Sequence, residues 1–268
     1  KVGVLDGTAE LRGSIPFNPF YGTILKLVRP NMIKKVDGKD YMAASSRIIH
    51  WSASGLAGVW AEENTRESIY DAFRRKETFG TSGPRIKVRF FAGYGLANAQ
   101  LNSPNLVSEL YKRATSMGGT LKEEGEEEPV FLVWAISDAL GAPLQRTQII
   151  KGWLEDGEHQ EKVYDVSCSD GLKVNSQTHR CPDNRARVNL NDCSYDKDVG
   201  ASELKSLWQD PDFRAGQEAF YYVRVLENPV CRWSTWDAIR NGEKPRSDLP
   251  STIQERAWSS PIWYTKGS

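Results

Sequence analysis

Residues 56–91, LAGVWAEENTRESIYDAFRRKETFGTSGPRIKVRFF, constrain the fold more than any other stretch, because strand, capped helix, turn and second strand follow one another directly. Leu56–Ala61 is an apolar run of the length a buried strand has, and Asn64 with Glu67 three positions on is a capping-box variant at a helix start. Ile69, Ala72 and Phe73 recur at helical spacing, and Arg74, Arg75 and Lys76 put cations in the last turn, where the helix dipole favours them. Thr78–Pro84 then stops the helix with Ser82-Gly83-Pro84 turn chemistry. Ile86, Val88 and Phe90 alternate with Lys87 and Arg89, which opens a half-buried strand of another kind of sheet. The change of pattern marks a domain junction near residue 84.

The two sides of that junction read differently. Val2-Gly3-Val4-Leu5 followed by Asp6-Gly7-Thr8 has the character of an inner strand of an α/β sheet whose neighbours come from elsewhere, so the chain is expected to be the carboxyl-terminal part of something longer. Beyond residue 84 strands dominate: Val130–Ile136, Thr147–Trp153, Lys162–Val166 and Ala219–Val225 are rich in β-branched and aromatic residues, with Gly, Pro and Asp in the connections. Such a series predicts an antiparallel sandwich. Short helices are expected within Pro104–Thr115 and Ala201–Trp208, and the acidic run Glu123–Glu128 is expected to be a solvated loop rather than a calcium site, since it lacks alternating ligand spacing.

Charge and hydropathy exclude whole classes of partner. The 35 basic residues balance the 35 acidic ones, so no overall field draws the chain to nucleic acid, and no apolar run reaches the length of a membrane span. Cys168, Cys181, Cys193 and Cys231 lie in the β-rich half without a CxxC pair, which favours disulfides over zinc or free thiols and points to a periplasmic or secreted protein. Of the three pairings, Cys168–Cys181 with Cys193–Cys231 is preferred, because Cys168 closes a strand, Cys181 lies in the turn that follows, and Cys193 sits further down the return strand.

Loops leaving the carboxyl ends of parallel strands form the active face of α/β barrels. Two such loops are candidates for a cleft: one offers Asp6 and Glu10, the other Glu62, Glu63, Asn64 and Arg66. The plainer reading carries more weight, with Asn64 as helix cap and Arg66 paired to a glutamate on the helix surface. Arg85, just after the Gly-Pro turn, is expected to bridge the two domains rather than to clamp an anion. Catalytic motifs are absent from the sequence. His50, His159 and His179 are isolated, no HxH, HExxH or DxH occurs, and no GxSxG, GxGxxG or GxxxxGK is present. Trp134 and Trp153 are expected in the core, whereas exposure of any of Trp233, Trp236, Trp258 and Trp263 would favour a binding role.

Gly55–Glu67 followed by Arg75–Ile86 closely resembles the bacterial domain-of-unknown-function family 3604, and the resemblance continues through Met117-Gly118-Gly119, Phe131–Ala135, Gln148–Trp153, Asp210–Phe213, Ala219–Val225 and Gln254–Tyr264. That family looks like a branch of the polymerase-and-histidinol-phosphatase (PHP) type metallohydrolases, near the carbaryl-hydrolase-like enzymes, in which a TxGP turn leads from the barrel's last helix into an appended β-sandwich. The resemblance implies a hydrolase of ester or phosphoester bonds with divalent metals on Asp and His residues of a barrel. The best-matching stretch, Gly7–Gly13, has Ala9 and Leu11 at the ligand positions, so this chain by itself is expected to lack the metal centre and to be inactive. The expected fold is therefore α+β: an incomplete α/β barrel-like segment over residues 1–84, then a mainly antiparallel β-sandwich over 85–268, hinged on a helix over 65–76. Its partners are an upstream barrel portion of the same protein and a small-molecule ester or phosphoester. The alternative is a noncatalytic β-sandwich module binding carbohydrate or a protein.

Overall fold

The computed structural model describes residues 33–42 and 55–267, which form two packed, mainly antiparallel sheets, two separate two-stranded ladders and three short helices. The larger sheet runs in the order β10 (Glu158–Cys168), β9 (Leu144–Glu155), β12 (Ala219–Glu227), β15 (Arg256–Ser259), β4 (Thr78–Thr81), β3 (Leu56–Val59), with β16 (Ile262–Thr265) also on β12. β7 (Thr120–Lys122) pairs with β16 in parallel. The smaller sheet runs β11 (Glu203–Gln209), β8 (Val130–Ile136), β5 (Lys87–Gly93), β6 (Thr115–Ser116).

The alternation along β12 builds the core. Ala219, Tyr221, Val223 and Val225 point inward and are buried, while the residues between them face out. They meet Phe90 of β5 and Phe131 and Val133 of β8, with Phe131 and Tyr221 ring centroids 4.4 Å apart. β8 does not alternate, because its other face is covered as well. Val130 and Leu132 pack with Phe91 beneath Leu106 and Leu110 of helix α2 (Leu106–Arg113).

Residues 56–81 depart from the barrel expectation. Leu56–Val59 is no parallel inner strand but one arm of an antiparallel pair with β4, and β4 in turn pairs with β15, so sheet pairing crosses residue 84. Gly58 explains the pairing. It lies opposite Phe79, and a Cβ built there would stand 2.2 Å from that ring, so glycine lets the aromatic ring lie across the neighbouring strand. Thr78–Thr81, expected as turn, is strand, and only Ser82–Pro84 breaks the chain.

Between the two strands lies helix α1 (Arg66–Arg74), whose cap is Thr65, not Asn64. Thr65 has extended backbone angles and its hydroxyl accepts the Ser68 N–H at 3.3 Å. Ala201–Trp208, expected as helix, contains strand β11 instead, and its register places Leu207 opposite Leu132 and Leu204 opposite Ala135. Trp134 and Trp153 are half-buried rather than fully core. The run Glu124–Glu128 is exposed, as a solvated loop should be.

The irregular stretch after Cys168 is stapled twice. Cys168–Cys181 and Cys193–Cys231 are disulfides, the expected pairing, and no described cysteine is free. The hairpin of β1 (Ile33–Val36) and β2 (Lys39–Met42) turns at Asp37-Gly38, both with positive φ, and is tied to the rest by Asp37 accepting the Ser247 hydroxyl at 2.8 Å and by Lys39 to Glu243 at 3.0 Å.

Candidate functional site

The chain leaves β3 through Trp60 and Ala61 and enters α1 past an exposed loop, so Trp60 is left at the lip of the sheet. Its indole N–H donates to the Val88 carbonyl at 2.7 Å, which fixes the ring beside β5. Arg89, the next outward residue of β5, lays its guanidinium over that ring with Cζ 3.6 Å from the centroid. Across from it α2 presents Ser108, Tyr111 and Lys112, and the end of α1 presents Arg75. Together they bound a cleft of about 590 Å³.

Glu77 anchors its inner wall. Only 4% exposed, it accepts hydrogen bonds from the Tyr111 hydroxyl and, at 2.8 Å, from the Ser116 hydroxyl, with Arg75 Nη2 at 3.6 Å from its second oxygen. Burial and the bond to this carboxylate push the Tyr111 phenol up to about 12, so it stays protonated and keeps donating to Glu77. Its oxygen also accepts from Arg89 Nη1 at 3.1 Å. The result is a chain of donors, Arg89 to Tyr111 to Glu77, that holds a guanidinium over an indole at the mouth of a cleft.

A second concavity of about 420 Å³ lies between the 137–143 turn and Tyr195. Beneath the turn sits Glu227, 1% exposed, whose Oε1 has no hydrogen-bond partner among the described residues. Burial, reinforced by Glu255 and Asp138, pushes its carboxyl up to about 8. Glu255 is raised too, chiefly by burial, although Ser82 donates to it. A Cβ at Gly141 would stand 3.0 Å from Glu227 Oε1, so the turn closes directly over the acid.

The residues singled out from sequence scatter. Glu62 lines the Trp60 cleft. Glu63 and Asn64 are exposed on the loop, the Glu63 N–H being bonded by the Ser68 hydroxyl at 3.1 Å, and neither lines the cleft. Arg66 borders a shallow groove with Tyr70 and Phe73 on the far side of α1. Asp6 and Glu10 lie outside the described residues, as do His50 and the stretch Gly7–Gly13.

Among the described residues, Arg85 makes no bridge to the segment before it. The residue is exposed, its backbone N–H donates to Asp138 Oδ2 at 2.7 Å, and its guanidinium makes no hydrogen bond or ion pair to residues 55–80. The Gly83-Pro84 turn aims it at the 137–143 turn of the neighbouring strand instead. Asp138, despite partial burial, is held below the usual carboxylate range by the Arg85 and Leu140 N–H groups.

The described residues do not fit a divalent-metal centre. No group of three His, Cys, Asp or Glu side chains converges among them, the four cysteines are spent in disulfides, and His179 lies edge-on to Tyr164 with centroids 5.3 Å apart. What the sequence reading missed was the Trp60–Glu77–Arg89–Tyr111 constellation. Its members come from four separate stretches of chain, the connections after β3 and after α1 together with β5 and α2, and the one local clue was a tryptophan at a strand's end followed by acids.

A family model described as "Protein of unknown function (DUF3604)" matches residues 13–266. No curated protein matches the chain.

Proposed function

The chain belongs to the DUF3604 family of proteins of unknown function, and from that premise we propose that it is the β-sandwich portion of an exported PHP-type metal-dependent hydrolase of ester or phosphoester bonds. In this reading the metal centre lies in a barrel portion, and the described residues hold none of it. The observation that carries the proposal is the outer face of α1. Tyr70 and Phe73 are 59% and 50% exposed beside β3, the edge strand of the large sheet among the described residues, and an aromatic surface next to a strand edge is of the kind that docks a further domain. The Trp60 cleft is lined in part by the loop between that edge strand and that helix, and in this reading it forms one wall of a cleft shared with the barrel. Two disulfides fit an extracellular or periplasmic protein, and no helix among the described residues is long and apolar enough to cross a membrane.

Metal analysis of residues 1–268, with activity assays on aryl ester and phosphoester panels, tests this. The expected result is no stoichiometric transition metal and no turnover from this chain alone, with both restored when the barrel portion is joined to it. Stoichiometric metal held by residues 1–268 themselves, or a joined protein that binds metal and cleaves neither bond type, would overturn the reading.

One observation favours a noncatalytic carbohydrate-binding module instead. Trp263 is 46% exposed on the outward face of the large sheet, 5.3 Å from Phe220, which stacks 6.4 Å from Tyr222. Such a row of rings suits the apolar faces of sugars. Trp233 and Trp236 do not join it, each carrying an arginine over its ring. Retention on immobilised polysaccharide that is lost in Trp263→Ala would support the module.

A further inference from the structure

We infer that the Trp60 cleft is a binding site for a small organic oxyanion, a carboxylate or a phosphate, with Arg89 as its principal contact. The inference stands on the cleft alone and does not depend on whether the chain serves a hydrolase.

Among the described residues, Arg89 is a charge held in place without an ion-pair partner. Its guanidinium lies on the Trp60 ring and spends Nη1 on the Tyr111 oxygen, while Nε and Nη2 make no hydrogen bond among the described residues. The nearest buried carboxylate does not neutralise it. Glu77 is already taken by the hydroxyls of Tyr111 and Ser116 and faces Arg75, so Arg89 reaches it only through the neutral phenol. A half-buried arginine usually closes on a carboxylate, with which its planar fork pairs bidentately. Here that fork is fixed by stacking, keeps open donors, and faces a cavity large enough for a ring-sized molecule.

The remaining lining decides the sign of the ligand. Arg75 and Lys112 add cationic walls, and Glu62 at the mouth is the one carboxylate there that no hydrogen bond or ion pair among the described residues engages. Ser108 is not a spare donor, since its hydroxyl bonds the Asn105 carbonyl at 2.9 Å. A sugar would need an open aromatic face, and the Trp60 face toward the cleft is already covered by Arg89. An organic cation would meet three positive side chains. An oxyanion on a small apolar body satisfies the open guanidinium donors and fills the space beside Tyr111.

Isothermal titration of the intact chain at low ionic strength with benzoate, phenyl phosphate and inorganic phosphate tests the assignment. One site is expected for at least one of the three. Benzoate against phenyl phosphate tells carboxylate from phosphate, and inorganic phosphate tells whether the organic body contributes. Arg89→Gln should weaken binding about tenfold or more, with Arg89→Lys only partly restoring it, since an ammonium lacks the fork. Glu62→Gln should tighten binding, Lys112→Gln should loosen it about two- to threefold, and Arg85→Gln, outside the cleft, should leave it unchanged. Should Arg89→Gln fail to fold, the opposed shifts at the exposed positions 62 and 112 still decide. Absence of binding by all three anions at millimolar concentration, or unchanged affinity in a folded Arg89→Gln protein with no response at 62 or 112, would overturn the proposal.

Discussion

Lys151 shows how much one buried charge commits the surrounding core. It is 2% exposed on the inward face of β9, and its ammonium lies 2.6 Å from Asp210 Oδ2 and 2.9 Å from the Asp212 carbonyl. The Tyr221 hydroxyl donates to Asp210 Oδ2 at 2.9 Å, and the Asp212 N–H donates to Oδ1 at 2.9 Å. Lys151→Met keeps the volume and removes the cation, so the buried Asp210 carboxyl loses its partner; a loss of about 3–5 kcal/mol is expected, read as a lower urea midpoint. Lys151→Met combined with Asp210→Asn should recover much of it, and a single variant as stable as the wild type would show that the carboxylate is not confined as described.

Glu227 makes the opposite kind of statement, because here the charge itself is unwelcome. Its folded-state carboxyl is raised from 4.5 to about 8, first by burial and then by Glu255 and Asp138. Between those values the folded protein holds a proton that the unfolded chain has released, so stability falls as pH rises through the window. The penalty is absent below it and fully present above it. Glu227→Gln cannot ionise, so its melting temperature should match the wild type near pH 4 and exceed it above about pH 8. A difference independent of pH would refute this.

At the scale of elements, the cap of α1 separates two readings of one loop. Thr65, not Asn64, bonds the Ser68 N–H, so Thr65→Ala should cost about 1 kcal/mol while Asn64→Ala costs almost nothing, as compared by denaturant midpoints. Equal effects would mean that the helix starts elsewhere in solution. The strands that sequence reveals are those whose periodicity reports their own burial. Ala219–Glu227 alternates cleanly, and Val130–Ile136 is apolar throughout because both its faces are covered. β11 escapes, since Leu204 and Leu207 lie three apart and mimic a helix, yet they serve opposite faces of one strand. The antiparallel β3–β4 pair, joined through α1, escapes for another reason. Its register seats Phe79 over Gly58 on the neighbouring strand, a contact that no local pattern contains. The cleft is equally hidden. Arg89 reads as the ordinary polar member of an alternating strand, and only α2 folding over β5 turns it into a lining residue.

At the scale of the molecule, the disulfides divide the chain into a part held by sheets and a part held by staples. Between Cys168 and β11 the path is irregular. It is fixed by the bond to Cys181 at a sequence separation of 13 and by Cys193 to Cys231 at a separation of 38. Polar anchors help: Asp165 accepts the Cys181 N–H at 2.6 Å and faces Arg146 at 3.0 Å, while Asp170 accepts the Gly200 N–H at 2.8 Å. None of these bonds runs through the pairing of β9 with β12 or of β5 with β8, where the core is built. A bond closing a loop of about 15 residues is worth roughly 3 kcal/mol through the unfolded chain, a minor share for a core of this size. Reduction should therefore release the excursion and spare the sandwich. Limited proteolysis of reduced protein is expected to cut within residues 169–202, while the amides of β9 and β12 stay protected from hydrogen exchange and no thiol titrates in the unreduced, denatured chain. If reduction stripped protection from β9 and β12 together, the staples would be holding the core itself, and the division between sheet-held and staple-held chain would fail.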